Sequence, residues 1–354
     1  MIPLLFDKTA TVFSTGQGIG GLPECTRCVV HEERNGAFLL EVDAPATARH
    51  IDALNVGALI VADANETLKR QAFEIYRITK DLDGKVTAYA EHISGRLKYS
   101  ILKPFTLTSL TAVIARLNAK NTTNYVEGNA FTFAADFSAS ATITQRVYIP
   151  VYDALHGVEG SIIDVYGGCY EYDNFNVTLK QNRGADNGVK IVYGKNLAAF
   201  EAEYDDYDEY TGVFGYYVKS DGTFVAGQIQ RSAYDSAYPY HRTIAVDFSG
   251  EFNGTPTAAQ LNSKAAAYVN GKGLPKVSLS ADVVPLYQTI EYKDYAPVER
   301  IGIDDTVTVY VPTLDVNVKA KVITTDYNVL LDRYNAVGIG NFRTTLADAI
   351  RAIK

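Results

Sequence analysis

Three dipeptides constrain the fold of this 354-residue chain more than any other feature: Asn35-Gly36, Asp83-Gly84 and Asp221-Gly222. Each sits between runs in which apolar and polar residues alternate. The flanks read TRCVVHEE and AFLLEVD, then FEIYRITK and KVTAYAEHI, then GVFGYYVK and TFVAGQI. Asn-Gly or Asp-Gly between period-2 runs is a strong hairpin signal, because a two-residue hairpin turn needs positive φ at both central positions. Residues 1–97 therefore read as one antiparallel β-domain of about six or seven strands.

The texture then changes. Residues 106–120 (TLTSLTAVIARLNAK) place Leu107, Leu110, Val113, Ile114 and Leu117 at helical spacing, with Thr106 as the expected N-cap. A shorter helical stretch follows at 152–156, and strands return at CYEYDNFNVTLKQ. Residues 98–188 thus read as a smaller α+β domain. From 189 to 342 the alternation resumes, in VKIVYGKNLAAFEAEYDDYDEYTGVFGYYVK, DDTVTVYVP, VNVKAKVITTDYN and AVGIGNF. One helix interrupts this second β-domain, with Thr255 and Pro256 expected at N-cap and N1 and Gly271 at C′. Two β-domains around an insertion fit an internal duplication, although no residue-level repeat is visible. Residues 343–354 form a C-terminal helical segment in which Leu346, Ile350 and Ile353 make an apolar seam. The seam packs back on its own domain or starts a coiled coil with other copies.

Composition bounds the function. At 47% hydrophobic and 21% charged residues the chain is an ordinary folded protein, long enough for about two or three domains. The 25 tyrosines and absent tryptophan fit half-buried strands. A net charge of −8 argues against a tight nucleic-acid binder but allows a channel through which DNA slides, repelled by an acidic lining. No apolar run approaches the roughly 20 residues that cross a bilayer. The start MIPLLFDKTATVF lacks a basic segment and reaches Asp7 early, so a signal peptide is not expected. Three cysteines are too few for a disulfide framework, which fits cytoplasmic folding.

Candidate chemistry is sparse. Gly16, Gly18 and Gly21 match G-x-G-x-x-G, but a dinucleotide site needs a helix next, and Leu22-Pro23-Glu24 leads into a strand instead. Cys25-x-x-Cys28 lacks the second pair that zinc requires, and on an alternating strand it reads as two structural thiols. His31, His50, His92, His156 and His241 are scattered. Cys169 is the one nucleophile that a distant histidine could activate. The acidic run 201–210 (EAEYDDYDEY) has no turn-making glycine, so it reads as a solvated or lumen-facing strand and not a calcium loop. No catalytic, cofactor or metal residue is assigned.

Two stretches carry a family resemblance. They are CVVHEERNGAFLLEVDAP with QAFEIYRITK and VTAYAEHIS, and GVEGSIIDVYGGCYEYDNFNVTLKQNRGADNGVKIVYGKNL. Together they resemble the phage minor structural protein family, also called the prophage tail endopeptidase or tail-associated lysin N-terminal family, across residues 3–349. The most specific part is 173–197, with Arg183-Gly184, Asn187-Gly188 and Tyr193-Gly194-Lys195-Asn196-Leu197. Cys169 stands where the family pattern carries an acidic residue after the paired glycines.

The family is similar to the baseplate hub of contractile-tailed phages. The resemblance implies a mainly β fold with an α+β insertion: two tube-like antiparallel β-barrel domains per subunit and a C-terminal helix. It also implies a homotrimer whose six barrels cap the tail tube, assembled in a bacterial host cytoplasm and carried at the virion tail tip. The implied partners are the distal tail ring protein, the tape measure protein and receptor-binding or fibre proteins, with DNA only in transit. Asp205, Asp206 and Asp208 are then candidates for the lumen lining, and the terminal seam points along the threefold axis. Hydrolase activity is expected on a C-terminal extension of longer relatives, beginning where this chain stops. The rival expectations are a peptidoglycan hydrolase using Cys169 or an acid pair, and a carbohydrate-binding module built on the tyrosine-rich strands.

Overall fold

Alternation becomes a two-faced strand at Arg27–Glu33, where Cys28, Val30 and Glu32 are buried while Arg27 and Glu33 are exposed. The computed structural model describes residues 1–342 apart from 17, 159, 193–194, 253, 271, 274–275, 284–300 and 313–315. Arg27–Glu33 pairs antiparallel with Phe38–Pro45, His31 opposite Leu39 and Cys28 opposite Val42. The hairpins Gln71–Lys80 with Lys85–His92, and Gly212–Val218 with Phe224–Ala226, form at the other two dipeptides.

The turns themselves are not of the expected two-residue type. In all three a residue's N–H donates to the carbonyl four positions on, and its own carbonyl accepts from the glycine N–H three positions on, as in Glu33–Ala37, Asp81–Lys85 and Lys219–Thr223. Each dipeptide has a single positive φ, at Asn35, Gly84 or Gly222. These are three-residue loops, where one left-handed residue is enough to match the twist of the strands.

The chain divides into two compact units. The first comprises Met1–Phe200 and Ser280–Ile339, and the second Glu201–Leu279 with 340–342. Strands of the first unit follow one another in space as Val316–Asn328, Arg27–Glu33, Phe38–Pro45, Lys85–His92, Gln71–Lys80, Leu59–Ala62, Leu4–Phe6 and Gly20–Gly21. Val316–Asn328 is 13 residues long and serves two neighbours. Its first half pairs with Thr306–Val311, its second with Arg27–Glu33, so that Asp326 lies opposite His31. Thr306–Val311 also takes Lys190–Val192 as a parallel neighbour. The structure thus joins strands from residues 1–97 and from 189–342 in one sheet. Period-2 patterning identifies a strand but not its partner, so this grouping differs from the four sequence segments. The fold is mainly β with a few helices, and among the described residues the pairings trace no closed barrel.

Residues 98–188 pack on the same core. Helix Leu110–Asn118 buries Leu110, Val113 and Leu117 in the core that also holds Leu40, Ile60 and Phe73, each contributing about 1.5–3 kcal/mol. Its N-cap is Ser109, whose hydroxyl accepts from Ala112 N–H, and not Thr106. Thr106 belongs to the strand Phe105–Leu107, which pairs with Ile143–Gln145. A five-residue helix, Ile162–Tyr166, was not legible in GSIIDVYGG because it is too short to show a period. The hairpin Cys169–Asp173 with Asn176–Lys180 turns at Asn174 (φ 49°).

In the second unit, Gly212–Val218 pairs with Phe224–Ala226 and Gln230–Arg231 antiparallel and with Thr243–Asp247 parallel. Helix Ala258–Val269 closes a core of Val213, Phe248, Leu261, Ala265 and Val269. Its cap lies at Thr257, two residues beyond the expected Thr255, because Gln260 completes a reciprocal capping box there. The expected C′ residue Gly271 lies outside the described residues. So does the segment 343–354 with Leu346, Ile350 and Ile353. Among the described residues no helix is long and apolar enough to cross a membrane.

Candidate functional site

A buried polar site of the first unit forms around Arg183-Gly184. Strand parity turns Glu32 inward among apolar neighbours, and Arg183 answers it there. The two side chains are only 3% and 7% exposed. The Arg183 guanidinium also donates to Tyr170 O (3.3 Å) and lies 3.7 Å from Glu171 Oε2. Burial alone pulls Arg183 below its ordinary range, but Glu32 more than reverses this and keeps the guanidinium charged.

Asp304 is the second anchor, with no exposed side-chain surface. Its Oδ1 accepts from Arg34 Nε (2.6 Å) and Lys321 Nζ (2.9 Å), and its Oδ2 from the Arg183 N–H (3.0 Å). Burial raises the Asp304 pKa, yet hydrogen bonds from Lys321 and Arg34 overcome it and hold the carboxyl below its usual range. Gly184 is required by close approach: a Cβ there would lie 2.2 Å from Asp304 C and Asp305 N. Asp305 accepts from Ala185 N–H (2.7 Å) and Gly302 N–H (2.6 Å). From the other side, Arg34 and Asn35 both donate to Gly168 O, and Asn35 Oδ1 accepts from Tyr170 N–H (2.8 Å). The knot therefore ties three segments, 32–35, 168–185 and 302–321.

A second latch holds the same hairpin further along. Gln71 Nε2 donates to Asp173 Oδ1 (2.8 Å), Gln71 Oε1 accepts from Asn174 N–H (2.8 Å), and Asn174 Oδ1 accepts from Ala72 N–H (2.9 Å). Neighbouring His92 is fully buried, which pushes its pKa down to about 3 and leaves it neutral.

This arrangement fixes segments and leaves little chemistry open. The anchoring carboxylates are committed to cations and backbone N–H groups, although Glu32 Oε2 is buried without a partner. The adjoining recess, lined by Glu171, Arg183, Asn187, Ile301, Asp305 and Tyr334 among others, holds about 210 Å³, less than a typical ligand pocket. Among the described residues no cluster of His, Cys, Asp and Glu could hold a metal ion.

Sequence reasoning missed Glu32 and Asp304. The signal for Glu32 was available: a carboxylate at the inward parity of an alternating strand must find a cation. Asp304 carried none.

The residues singled out from sequence lie elsewhere or are inert. Cys169 is buried, its thiol donates to Tyr170 O at 3.7 Å, and burial pushes its pKa up to about 11. The strand expected through 201–210 ends at Asp205; Asp206 and Asp208 lie on the turn that follows, where Glu209 N–H donates to Asp206 O. Asp206 Oδ2 lies 3.3 Å from Arg242 Nη1, while Asp208 is exposed. Gly20 and Gly21 form a short strand against Leu4 and Leu5, so no phosphate-binding helix follows the glycine run.

Residues 185–350, starting directly after Arg183-Gly184, match the family described as prophage endopeptidase tail. The likeness read from the sequence holds. Three solved structures share the fold along the chain. Prophage tail protein gp18 from Listeria monocytogenes is 14% identical, with TM-score 0.53, covering 100% of this chain and 98% of its own. The tail protein from Neisseria meningitidis is 9% identical, with TM-score 0.57 and 96% coverage of each chain. The 43 kDa tail protein of prophage MuSo2 from Shewanella oneidensis is 12% identical, with TM-score 0.58, covering 96% of this chain and 97% of its own. At identities this low the likeness is one of fold alone. No curated protein matches the chain.

Proposed function

We propose that the chain is a structural hub of a phage or prophage tail tip and works by assembly, not catalysis. The observation that carries this reading is the match of residues 185–350 to the prophage tail family. The fold shared with three tail proteins over at least 96% of the chain supports it. So does the site itself, where buried charges lock distant segments together.

In this reading three copies close around a threefold axis, each giving two tube-like barrels, so that six barrels meet the tail tube. Closed symmetry leaves no unpaired heterologous surface to polymerise. Leu346, Ile350 and Ile353 supply the axial seam, and Asp205, Asp206 and Asp208 face the lumen. The distal tail ring, tape measure and receptor-binding or fibre proteins are the neighbours, and DNA passes through. The protein is made in the host cytoplasm and resides at the virion tail tip.

Light scattering of the purified chain over a range of concentrations tests the assembly, with a trimer expected. Complete, infective tails from particles deleted for this chain would overturn the reading.

The family's name, prophage endopeptidase tail, favours one second reading, a cell-wall endopeptidase. Within this chain Cys169 is a poor nucleophile, buried with a raised pKa and bonded to a carbonyl. Zymography on cell-wall substrate separates the two, and clearing by this chain would establish the enzyme.

A further inference from the structure

The strand Gln71–Lys80 breaks its own alternation. Phe73 and Ile75 point into the core, and a strict period of two would send Arg77 after them. A bulge prevents this. Ile75 lies opposite Ala90 and Arg77 opposite Tyr89, so Tyr76 is an extra residue with no partner across the ladder. Tyr76 and Arg77 therefore both stand on the outer face of the sheet, beside Tyr89. The Arg77 guanidinium covers the Tyr89 ring, 3.8 Å from its centroid, while Tyr76 stays 51% exposed. Next to these rings the outer face is hollow. A recess of about 250 Å³ is lined by Tyr76 and Tyr89, by the apolar Val29 and Leu39, and by two ion pairs. The pairs are Arg27 with Glu41 and His31 with Asp326. Each engages one carboxylate oxygen: Asp326 Oδ1 meets His31 Nδ1 at 2.6 Å, and Glu41 Oε1 meets the Arg27 guanidinium. Among the described residues this leaves Asp326 Oδ2 and Glu41 Oε2 as acceptors at the rim.

We propose that this recess is a saccharide subsite that takes one neutral pyranose ring. The C–H groups of such a ring carry partial positive charge and lie against the electron-rich face of an exposed tyrosine, here Tyr76. Its hydroxyls donate to Asp326 Oδ2 and Glu41 Oε2 and accept from Arg27. A purely apolar ligand would strip water from both carboxylates and return no hydrogen bond, whereas a hydroxylated ring returns it. The charges select a neutral sugar. Arg27, His31 and Arg77 stand against Glu33, Glu41 and Asp326, so a charged ring would have to displace an existing ion pair. His31 counts among the cations because Asp326, and then Glu33, hold its pKa at about 8. The recess is smaller than the cleft that encloses a drug-sized ligand, so the remaining rings of an oligosaccharide stay in solvent. No part of this depends on the tail-hub reading.

Saturation-transfer NMR on the full chain tests the subsite. The probes are maltotriose, cellotriose, chitotriose, mannotriose and galactotriose, with trigalacturonic acid as the charged comparison. At least one neutral trisaccharide should bind with the millimolar affinity expected of a single ring, and its saturation should concentrate on one ring. Trigalacturonic acid should not bind. Tyr76→Ala and Glu41→Gln should each weaken binding about tenfold. Tyr99→Ala removes a still more exposed ring elsewhere in the same unit and should leave binding unchanged. Circular dichroism confirms folding of each variant, with Tyr76→Leu as the replacement if Tyr76→Ala fails. Absence of saturation transfer to all the neutral trisaccharides at tens of millimolar would overturn the proposal. So would binding that Tyr76→Ala leaves intact, or equal binding of trigalacturonic acid.

Discussion

Arg183 and Glu32 stand 151 residues apart in sequence and form a buried ion pair. Removing one partner leaves the other charged and desolvated, which typically costs about 3–5 kcal/mol. Arg183→Met should therefore lower the urea midpoint strongly, and Arg183→Met with Glu32→Leu should recover most of the loss. A double variant no more stable than the single one would show that the pair does not act as a unit.

Gly184 faces a different constraint, since a methyl group there meets the Asp304–Asp305 backbone and not a movable side chain. Gly184→Ala should cost at least about 1–3 kcal/mol, the usual range for overpacking. Gly84→Ala, whose Cβ meets nothing within 4 Å, isolates the strain of a positive φ (76°) from crowding. Equal losses in the two variants would refute the crowding account.

Acid should open the knot at Asp304. Its folded pKa is depressed below the ordinary 3.8, so its contribution is present above that value and lost as pH falls through the folded pKa. Asp304→Asn, uncharged throughout, should be less stable at neutral pH, and its deficit should shrink below about pH 4. Thermal melts across that range read the difference, and a pH-independent deficit would exclude the linkage.

His31 gives the opposite sign. It is flanked by Asp326 (2.6 Å) and Glu33 (3.3 Å), and the hydrogen bond to Asp326 leads in raising its pKa to about 8 against burial. A raised pKa adds stability that is complete below the ordinary 6.5 and disappears as pH rises through about 8. The side chain is 37% exposed, so the gain should be below about 1 kcal/mol and weaken in salt. His31→Gln should be less stable than wild type near pH 6 and equal to it near pH 9, by urea denaturation.

Charge reversal at Asp205, Asp206 and Asp208 probes the proposed lumen. Particles should assemble normally but eject DNA more slowly, as counted by ejection from purified virions. The Arg242 partner of Asp206 makes Asp208→Lys alone the cleaner variant. Unchanged ejection would remove these residues from the channel.

Local features of the fold were legible. Asn35-Gly36 located a hairpin, VNVKAKVITTDYN gave the strand Val316–Asn328 to the residue, and the start and stop signals at Thr255-Pro256 and Gly271 located the helix Ala258–Val269. Caps were placed with less success, because Ser109 and Thr257 compete with nearby threonines and only the folded backbone selects between them. The partner of Arg27–Glu33 was not legible, since alternation carries no record of which strand lies alongside. The site followed the same division. Arg183-Gly184 stood out through the family resemblance, but its role needs Asp304, which no local pattern marks. Cys25 was read on a strand that in fact starts two residues later.

The pairing of His31 with Asp326 spans 295 positions, and this sets a delay on the ribosome. At roughly 5–20 residues per second, Arg27–Glu33 emerges about 15–60 s before the strand that covers it. Throughout that interval the nascent hairpin carries an open edge. His31 and Glu33, both polar and facing away from the core, are the residues that keep this waiting edge from pairing with another chain.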